Sequence, residues 1–535
     1  MLAGHALGGW SLREPGRAPA AMPSPGLLGD QTPLAWYDSV AVGGGSGAAW
    51  RGFGAGLVTA QGLGEIPADG RARAVVDLRS GDFGYDENSL AIERGDSTRW
   101  LRGESFGGNR GAVGGLGSMG RHRWGVTGGL GRRGHRLEGT YAERGEAGSL
   151  SSGEGQDAKG ESGSLEYRYR RRALDLGVTL ARGHDLHKSC WPCGAAFGEA
   201  VLESRRDAQE VMASVEAQHT GADQRVGARL EWRRAHVTRD EDPDFDSRTT
   251  ALWGAARYRK SLGEGVFEAE IGAGHQQGFE GVRVAPGLSY TIGGPAFRGR
   301  LAVERALEPV WADLALDQPP FMQRTWMGAI EVEAGGSRAK QARLRFLVGR
   351  TGERAILSRW PLEDLWMRIG VWSDPARFDF GLLSGEARWL GKRFGAGGEG
   401  FVLARDRSPA QPLVDPGYGA SSFAEFRFSG FQRDLGVTLR TSLAAVGPRE
   451  SQGDFQYGYD PAGGSGTFFA PRDLPGYVTI GASAILTLAD AVLTVRVRNL
   501  EDRQRPEIWL DTATGTELLG PGREWRTALT VRLMN

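Results

Sequence analysis

A strict two-residue alternation of apolar and polar side chains constrains this chain more than any other feature. It repeats from about residue 70 to the end, and the polar face carries Arg and Glu through the middle of each segment. In Leu165-Glu166-Tyr167-Arg168-Tyr169-Arg170 the apolar side chains share one face and the charges the other. Leu174, Leu176, Val178 and Leu180 alternate with Asp175, Gly177 and Thr179. Val226, Ala228, Leu230 and Trp232 oppose Arg229, Glu231 and Arg233. A repeat of 180° per residue is a β-strand with one apolar and one polar face. Charge pairs at mid-strand, such as Glu331 with Glu333, Arg343 with Arg345 and Arg496 with Arg498, suit a barrel with an apolar outside and a wet lumen. A soluble sheet exposing one side to water is the competing architecture.

The connections favour the barrel, because they alternate in length. Short turns fall at Arg170–Ala173, Thr220–Asp223, Gly293–Pro295 and Ala334–Arg338, and long polar loops at Gly183–Gln209, His236–Arg248, Leu307–Arg324 and Val446–Leu474. Transmembrane barrels have short turns on the periplasmic side and longer loops outside. Gly-, Asp- or Ser-rich breaks recur every 20–25 residues with no separate linker. Residues 70–535 therefore hold about 22 strands, a size whose lumen accommodates a plug. The expected fold is an all-β, closed antiparallel transmembrane barrel over residues 66–535, preceded by a short plug remnant or irregular segment over 1–65.

Composition excludes several alternatives. Arg+Lys and Asp+Glu are 65 each, so the basic excess that phosphate-backbone binding needs is missing and nucleic acid is not an expected partner. The longest uncharged stretch near the end, Pro475 to Ala489, has 15 residues, short of the roughly 20 a spanning helix takes. No G-x-S-x-G, P-loop or H-E-x-x-H motif occurs, so no enzyme activity and no cofactor are expected. Residues 1–60 are rich in Gly, Ala and Pro, show no strand pairs by pattern and carry no secretory signal. The sequence is thus expected to be a mature form or to be incomplete at its N-terminus.

The last sixty residues resemble the end of a TonB-dependent outer-membrane receptor. A strand with Leu493, Val495 and Val497 on one face runs into Asn499-Leu500-Glu501-Asp502-Arg503, and after a loop Gly522-Arg523-Glu524-Trp525 opens the last strand. This is similar to the family's Asn-Leu-x-Asp-Arg box and Gly-Arg start. The chain ends Leu533-Met534-Asn535 where the family usually ends in an aromatic residue. A second likeness, to the end of the family's plug, involves Val42, Gly45, Trp50, Gly52, Gly56, Leu57 and Val58, without that motif's Pro and Tyr. The resemblance implies a location in the outer membrane of a Gram-negative-type bacterium, with lipid around the barrel. It also implies uptake of a scarce solute of the siderophore-iron, cobalamin or glycan type. A TonB energising complex would act through residues upstream of those present.

In the predicted loop 183–209, His184, His187, Cys190 and Cys193 cluster within ten residues. A C-x-x-C pair in an oxidising exterior is expected to close into a disulfide. A zinc site built from the two His and two Cys is the alternative, though tight for a tetrahedral ion. The acidic run Arg239 to Asp246 is expected to be a solvated loop, with Ca²⁺ binding as the alternative. Trp100, Trp124, Trp232, Trp253, Trp326 and Trp525 are expected in the interfacial aromatic girdles. Trp191, Trp311, Trp360 and Trp509 are candidates for ligand contact. Two other functions stay open: a plugless porin-like channel of large, weakly selective conductance, and an adhesion or assembly barrel whose loops hold a macromolecule.

Overall fold

The structure is a computed structural model. It describes residues 10–13, 39–44 and 58–63 and, from 69 on, all but 83, 97, 111–118, 150–154, 192–201, 240–245, 278–280, 295, 311–320, 338, 355–375, 406–416, 432–433, 451–453, 458–465, 470–472, 504, 512–515, 521 and 535. Three short strands come first: β1 (Trp10–Arg13), β2 (Ser39–Gly44) and β3 (Val58–Leu63). Thirteen long strands follow the first six of the barrel. Those six are β4 (Asp69–Gly81), β5 (Tyr85–Asp96), β6 (Arg99–Arg110), β7 (Met119–Arg132), β8 (His135–Ser149) and β9 (Gly155–Arg171). Next come β10 (Leu174–Trp191), β11 (Leu202–Thr220), β12 (Gln224–Arg239), β13 (Asp246–Leu262), β14 (Gly265–Gln276), β15 (Arg283–Gly293) and β16 (Phe297–Val310). Then follow β17 (Phe321–Ser337), β18 (Lys340–Arg354), β19 (Ala376–Leu390), β20 (Phe394–Arg405), β21 (Tyr418–Gly430) and β22 (Leu435–Val446). Four short strands decorate the next connection: β23 (Arg449–Glu450), β24 (Asp454–Tyr457), β25 (Gly466–Phe469) and β26 (Asp473–Leu474). The barrel resumes with β27 (Tyr477–Leu488) and β28 (Ala491–Arg498), then β29 (Arg505–Asp511) and β30 (Thr516–Gly520) pair in a loop before β31 (Glu524–Met534).

Twenty-two of these strands, β4–β22 with β27, β28 and β31, close into one antiparallel barrel, as the alternation predicts. Closure is made by β31 against β4, from Arg526 opposite Gly81 to Met534 opposite Arg73. The barrel therefore starts and ends at one rim. All connections at that rim have two to four residues, from 97–98 to 489–490, and the long ones lie at the other. The short-turn rim is periplasmic and the long-loop rim extracellular. Turn chemistry fits: Arg133 and Gly134, between β7 and β8, both have positive φ (49° and 89°), as a two-residue type I′ hairpin requires. A Cβ at Gly134 would sit 2.2 Å from the Arg170 carbonyl oxygen, so only glycine fits.

The two faces of the wall differ as barrel geometry demands, because curvature crowds inward side chains and splays outward ones. One parity carries exposed Leu78, Leu90, Ile92, Leu101, Val126 and Leu130, while the other carries buried Asp77, Glu87, Ser89 and Arg123. The first is the lipid face and the second the lumen. Leu493, Val495, Val497, Leu529 and Val531 fall on the lipid face, with Leu493 opposite Leu529 and Leu529 opposite Leu78. Arg496 and Arg526 stand opposite each other on the luminal face.

Three expectations are corrected. Residues 10–63 do form strand pairs: β3 pairs parallel with β1 and antiparallel with β2, in a sheet separate from the barrel's. The strands are too short and Gly-rich for periodicity to reveal them. Residues 183–209 are not all loop, since β10 and β11 stay in register from Leu174 opposite His219 up to Trp191 opposite Leu202. Backbone pairing is indifferent to side-chain polarity, so the hairpin continues beyond the apolar band. Finally, Trp100 and Trp253 face the lumen, not a girdle. Trp253 is 2% exposed and lies opposite luminal Glu231, and Trp100 packs over Gly129 with the Arg136 guanidinium 4.6 Å from its ring. Which face a strand presents inward is set by its register with neighbours, which isolated Trp positions do not carry.

Candidate functional site

The lumen is a wall of cross-strand ion pairs. In Phe423-Ala424-Glu425-Phe426-Arg427 alternation sends Phe423, Glu425 and Arg427 inward, and register puts Arg440 of β22 opposite Glu425. The Glu425 side chain is fully covered. One carboxylate oxygen accepts from Arg440 Nε at 3.0 Å and from its terminal nitrogen at 2.5 Å, and the other accepts from Arg427. Arg440 also lies 4.5 Å over the Phe423 ring. Burying an ionised carboxylate is tolerable only with such donors in place.

The same level continues around the wall through Ser483, Arg496 and Arg526. Arg526 is held by Glu524 and stacks 4.4 Å over Tyr85. The Tyr85 hydroxyl donates to Glu87 at 2.6 Å, and Glu87 also accepts from Arg121 at 3.1 Å. Asp77 accepts from Arg79 at 2.7 Å and from Thr530 at 2.6 Å. Further round, Arg123 donates to Glu104 at 2.7 Å and Arg144 to Asp185 at 2.7 Å. Glu231 sits between Arg229 and Arg233, and Arg345 meets Glu331 at 2.6 Å. Charges nearly balance over most of this belt. On β21–β31, however, Arg427, Arg440, Arg496, Arg498, Arg526 and Arg532 share the luminal face with only Glu425 and Glu524, a local surplus of 6 − 2 = 4 positive charges. That arc attracts anions.

One part of the inner wall is apolar. Met327, Leu347, Phe380, Leu382, Phe401 and Leu403, inward on β17–β20, form a cluster only 0–7% exposed. The sequence carries a signal for it: Gly381-Leu382-Leu383 and Phe401-Val402-Leu403 are apolar on both faces, departing from the alternation elsewhere. A continuous apolar run in a strand means both faces are dry.

The Asn-Leu-x-Asp-Arg box is built as a clasp where β28 leaves the extracellular rim. Asn499 is 1% exposed and has φ of +53°, a conformation Asn tolerates better than most residues. Its Nδ2 donates to the Arg503 carbonyl at 2.6 Å, and its Oδ1 accepts from the Arg503 amide at 3.3 Å. Asp502 accepts from the Arg523 amide at 2.6 Å, and the Arg523 guanidinium donates to the Leu500 carbonyl at 3.0 Å, so the ends of β28 and β31 are tied together. Gly522 leaves room for this carboxylate, since a Cβ there would lie 2.5 Å from Asp502 Oδ1. Replacing Asn499 with Ala is expected to lower unfolding stability by about 1–3 kcal/mol, the cost of leaving buried backbone groups unpaired. Urea unfolding in lipid vesicles measures it, and an unchanged midpoint would refute the clasp.

The other predicted site residues are scattered. Val42 lies in β2 opposite Ala60, while Gly45, Gly52 and Gly56 fall outside the described residues. Trp191 ends β10 and Trp509 lies in β29, but their side chains, like Trp311 and Trp360, are outside what is described. So are Cys193 and the side chains of Cys190 and His187. His184 faces outward, with its ring nitrogens 3.0 Å from Asp207 and 3.5 Å from Glu161. Most of the acidic run, 240–245, is also outside. Among the described residues no group of three or more His, Cys, Asp or Glu is arranged to hold a metal ion.

Solved structures match this architecture over nearly its whole length. The copper transporter OprC superposes with a TM-score of 0.77 at 12% identity, covering 98% of this chain and 90% of OprC. The siderophore receptor PirA from Acinetobacter baumannii aligns at 0.70 and 10% identity, covering 92% and 85%, and the FrpB iron transporter from Neisseria meningitidis at 0.71 and 9%, covering 93% and 88%. The fold is that of the TonB-dependent outer-membrane receptors. Identity this low carries the fold alone. No family model and no curated protein matches the sequence. A closed 22-strand barrel of this fold, with an apolar outer wall, belongs in the outer membrane.

Proposed function

We propose that this chain is a receptor-like transporter that takes up a scarce solute across the outer membrane with energy supplied through TonB. The observation carrying this reading is the closed 22-strand barrel with a wet, ion-paired lumen, matched over 98% of the chain by OprC. The similar structures are named for copper, siderophore and iron, which makes a metal ion or metal chelate the first solute class to try. The cationic arc on β21–β31 favours an anionic form, such as a ferric chelate with net negative charge. The β1–β3 sheet is the candidate plug element, and residues 1–65 the candidate plug region ahead of the barrel.

Cells expressing the chain are expected to accumulate one labelled solute, drawn from ferric chelates, copper and cobalamin, only when TonB is present. Accumulation of many small solutes without TonB would support the porin-like channel instead. No uptake, combined with adherence of cells to a macromolecular surface, would support the adhesion barrel.

A further inference from the structure

Two neighbouring periplasmic turns carry a cluster of arginines. Arg133-Gly134 joins β7 to β8, and Arg172-Ala173 joins β9 to β10. The turns lie side by side, because the Arg170 amide donates to the Gly134 carbonyl at 2.7 Å. Arg132 stands two residues below exposed Leu130, and Arg171 two below Tyr169, so both side chains have the lipid-facing parity. Register puts Arg132 opposite His135, and His135 opposite Tyr169. Arg132 and Arg171 are thus two strands and two residues apart, about 12 Å at the backbone. His135 stacks on Tyr169 at 4.6 Å and meets the Tyr167 hydroxyl at 2.7 Å. Outward aromatic rings of this kind mark the headgroup level of a membrane.

The inward arginines here are paired with acids. Arg136 meets Glu138 at 2.6 Å, Arg170 meets Asp175 at 2.8 Å, and Arg168 lies 3.6 Å from Asp175. Arg132, Arg133, Arg171 and Arg172 are all exposed, and their side chains make no ion pair or hydrogen bond among the described residues. Asp96, on the β5–β6 turn of the same rim, is taken up by the amides of Thr98 and Arg99 at 2.7 and 3.0 Å. The turns are also strained. Arg133 and Arg172 have φ of 49° and 48°, where Asn or Gly is the favoured residue. Strain that Asn would relieve points to a use for the guanidinium itself. Guanidinium groups at a lipid boundary with no acid of their own suit phosphate oxygens, which they bind in two-pronged fashion.

We propose that Arg132, Arg133, Arg171 and Arg172 form a docking site for anionic glycerophospholipid headgroups of the inner leaflet, on the periplasmic rim of β7–β10. The outward parity of Arg132 and Arg171, directly below an aromatic group, selects a lipid headgroup over a soluble partner. This site is independent of the transport reading, since it lies outside the lumen and needs only a membrane around the barrel.

The full chain, purified in detergent, tests it by native mass spectrometry with added phosphatidylglycerol, cardiolipin, phosphatidylethanolamine or inorganic phosphate. The two anionic lipids are expected to bind at least about tenfold tighter than phosphatidylethanolamine. R132S/R171S should lose that preference. K260S/K340S, which removes two exposed cations of the same rim elsewhere on the barrel, should keep it. R133N/R172N should lose the preference as well, yet its urea midpoint in phosphatidylcholine vesicles should not fall, because Asn tolerates positive φ better than Arg. That variant keeps the test decisive if R132S/R171S fails to fold. Equal binding of all three lipids, an unchanged preference in both arginine variants, or an equal loss in the lysine variant would overturn the site. Competition by inorganic phosphate as strong as by the anionic lipids would overturn the lipid as its occupant.

Discussion

Replacing Glu425 with Ala is expected to cost about 3–5 kcal/mol, the range found when one partner of a buried ion pair is removed. Its side chain is fully covered and accepts from both Arg427 and Arg440. Without it these two guanidiniums face Arg496 and Arg526 along one level of the wall, with Glu524 the remaining carboxylate of that arc. Glu425→Gln keeps one acceptor oxygen but not the charge, so it should fall between the wild type and Ala. Urea unfolding in vesicles, scored by the heat-dependent gel mobility of folded barrels, measures both. If Glu425→Ala unfolds at the wild-type midpoint, the luminal network is ornamental to stability and the charged wall must be explained by transport alone.

A second large effect separates the two faces of one strand. Leu493→Arg places a charge in lipid next to Leu529 and Leu486. Near the bilayer midplane this should cost about 2–4 kcal/mol. Thr494→Arg, one residue further along β28, places the same side chain in the wet lumen and should cost much less. The pair controls for strand propensity and backbone position, leaving polarity of the face as the variable. Equal losses at 493 and 494 would contradict a lipid-facing outside and a hydrated inside.

Much of this molecule was legible in its sequence because the determining pattern is local. Side chains in a strand alternate by covalent geometry, so Leu493, Val495 and Val497 had to share a face opposite Arg496. Turn residues and loop lengths are also local, and from them the strand number and the two rims followed. The Asn499–Arg503 box was legible only through its likeness to a family motif; the structure supplies the physical reason, a turn with positive φ at Asn499 and Asp502 that admits few residue types. Register was not legible, since hydrogen bonds between strands far apart in sequence set it. Register decided that Trp253 and Trp100 point inward, that β10 and β11 pair up to Trp191 and Leu202, and that Glu425 is enclosed by arginines. It also gathered Met327, Leu347, Phe380, Leu382, Phe401 and Leu403 from four strands into one dry luminal patch. Alternation states that a strand has two faces. Only closure of the barrel decides which face looks inward and what stands beside each residue there.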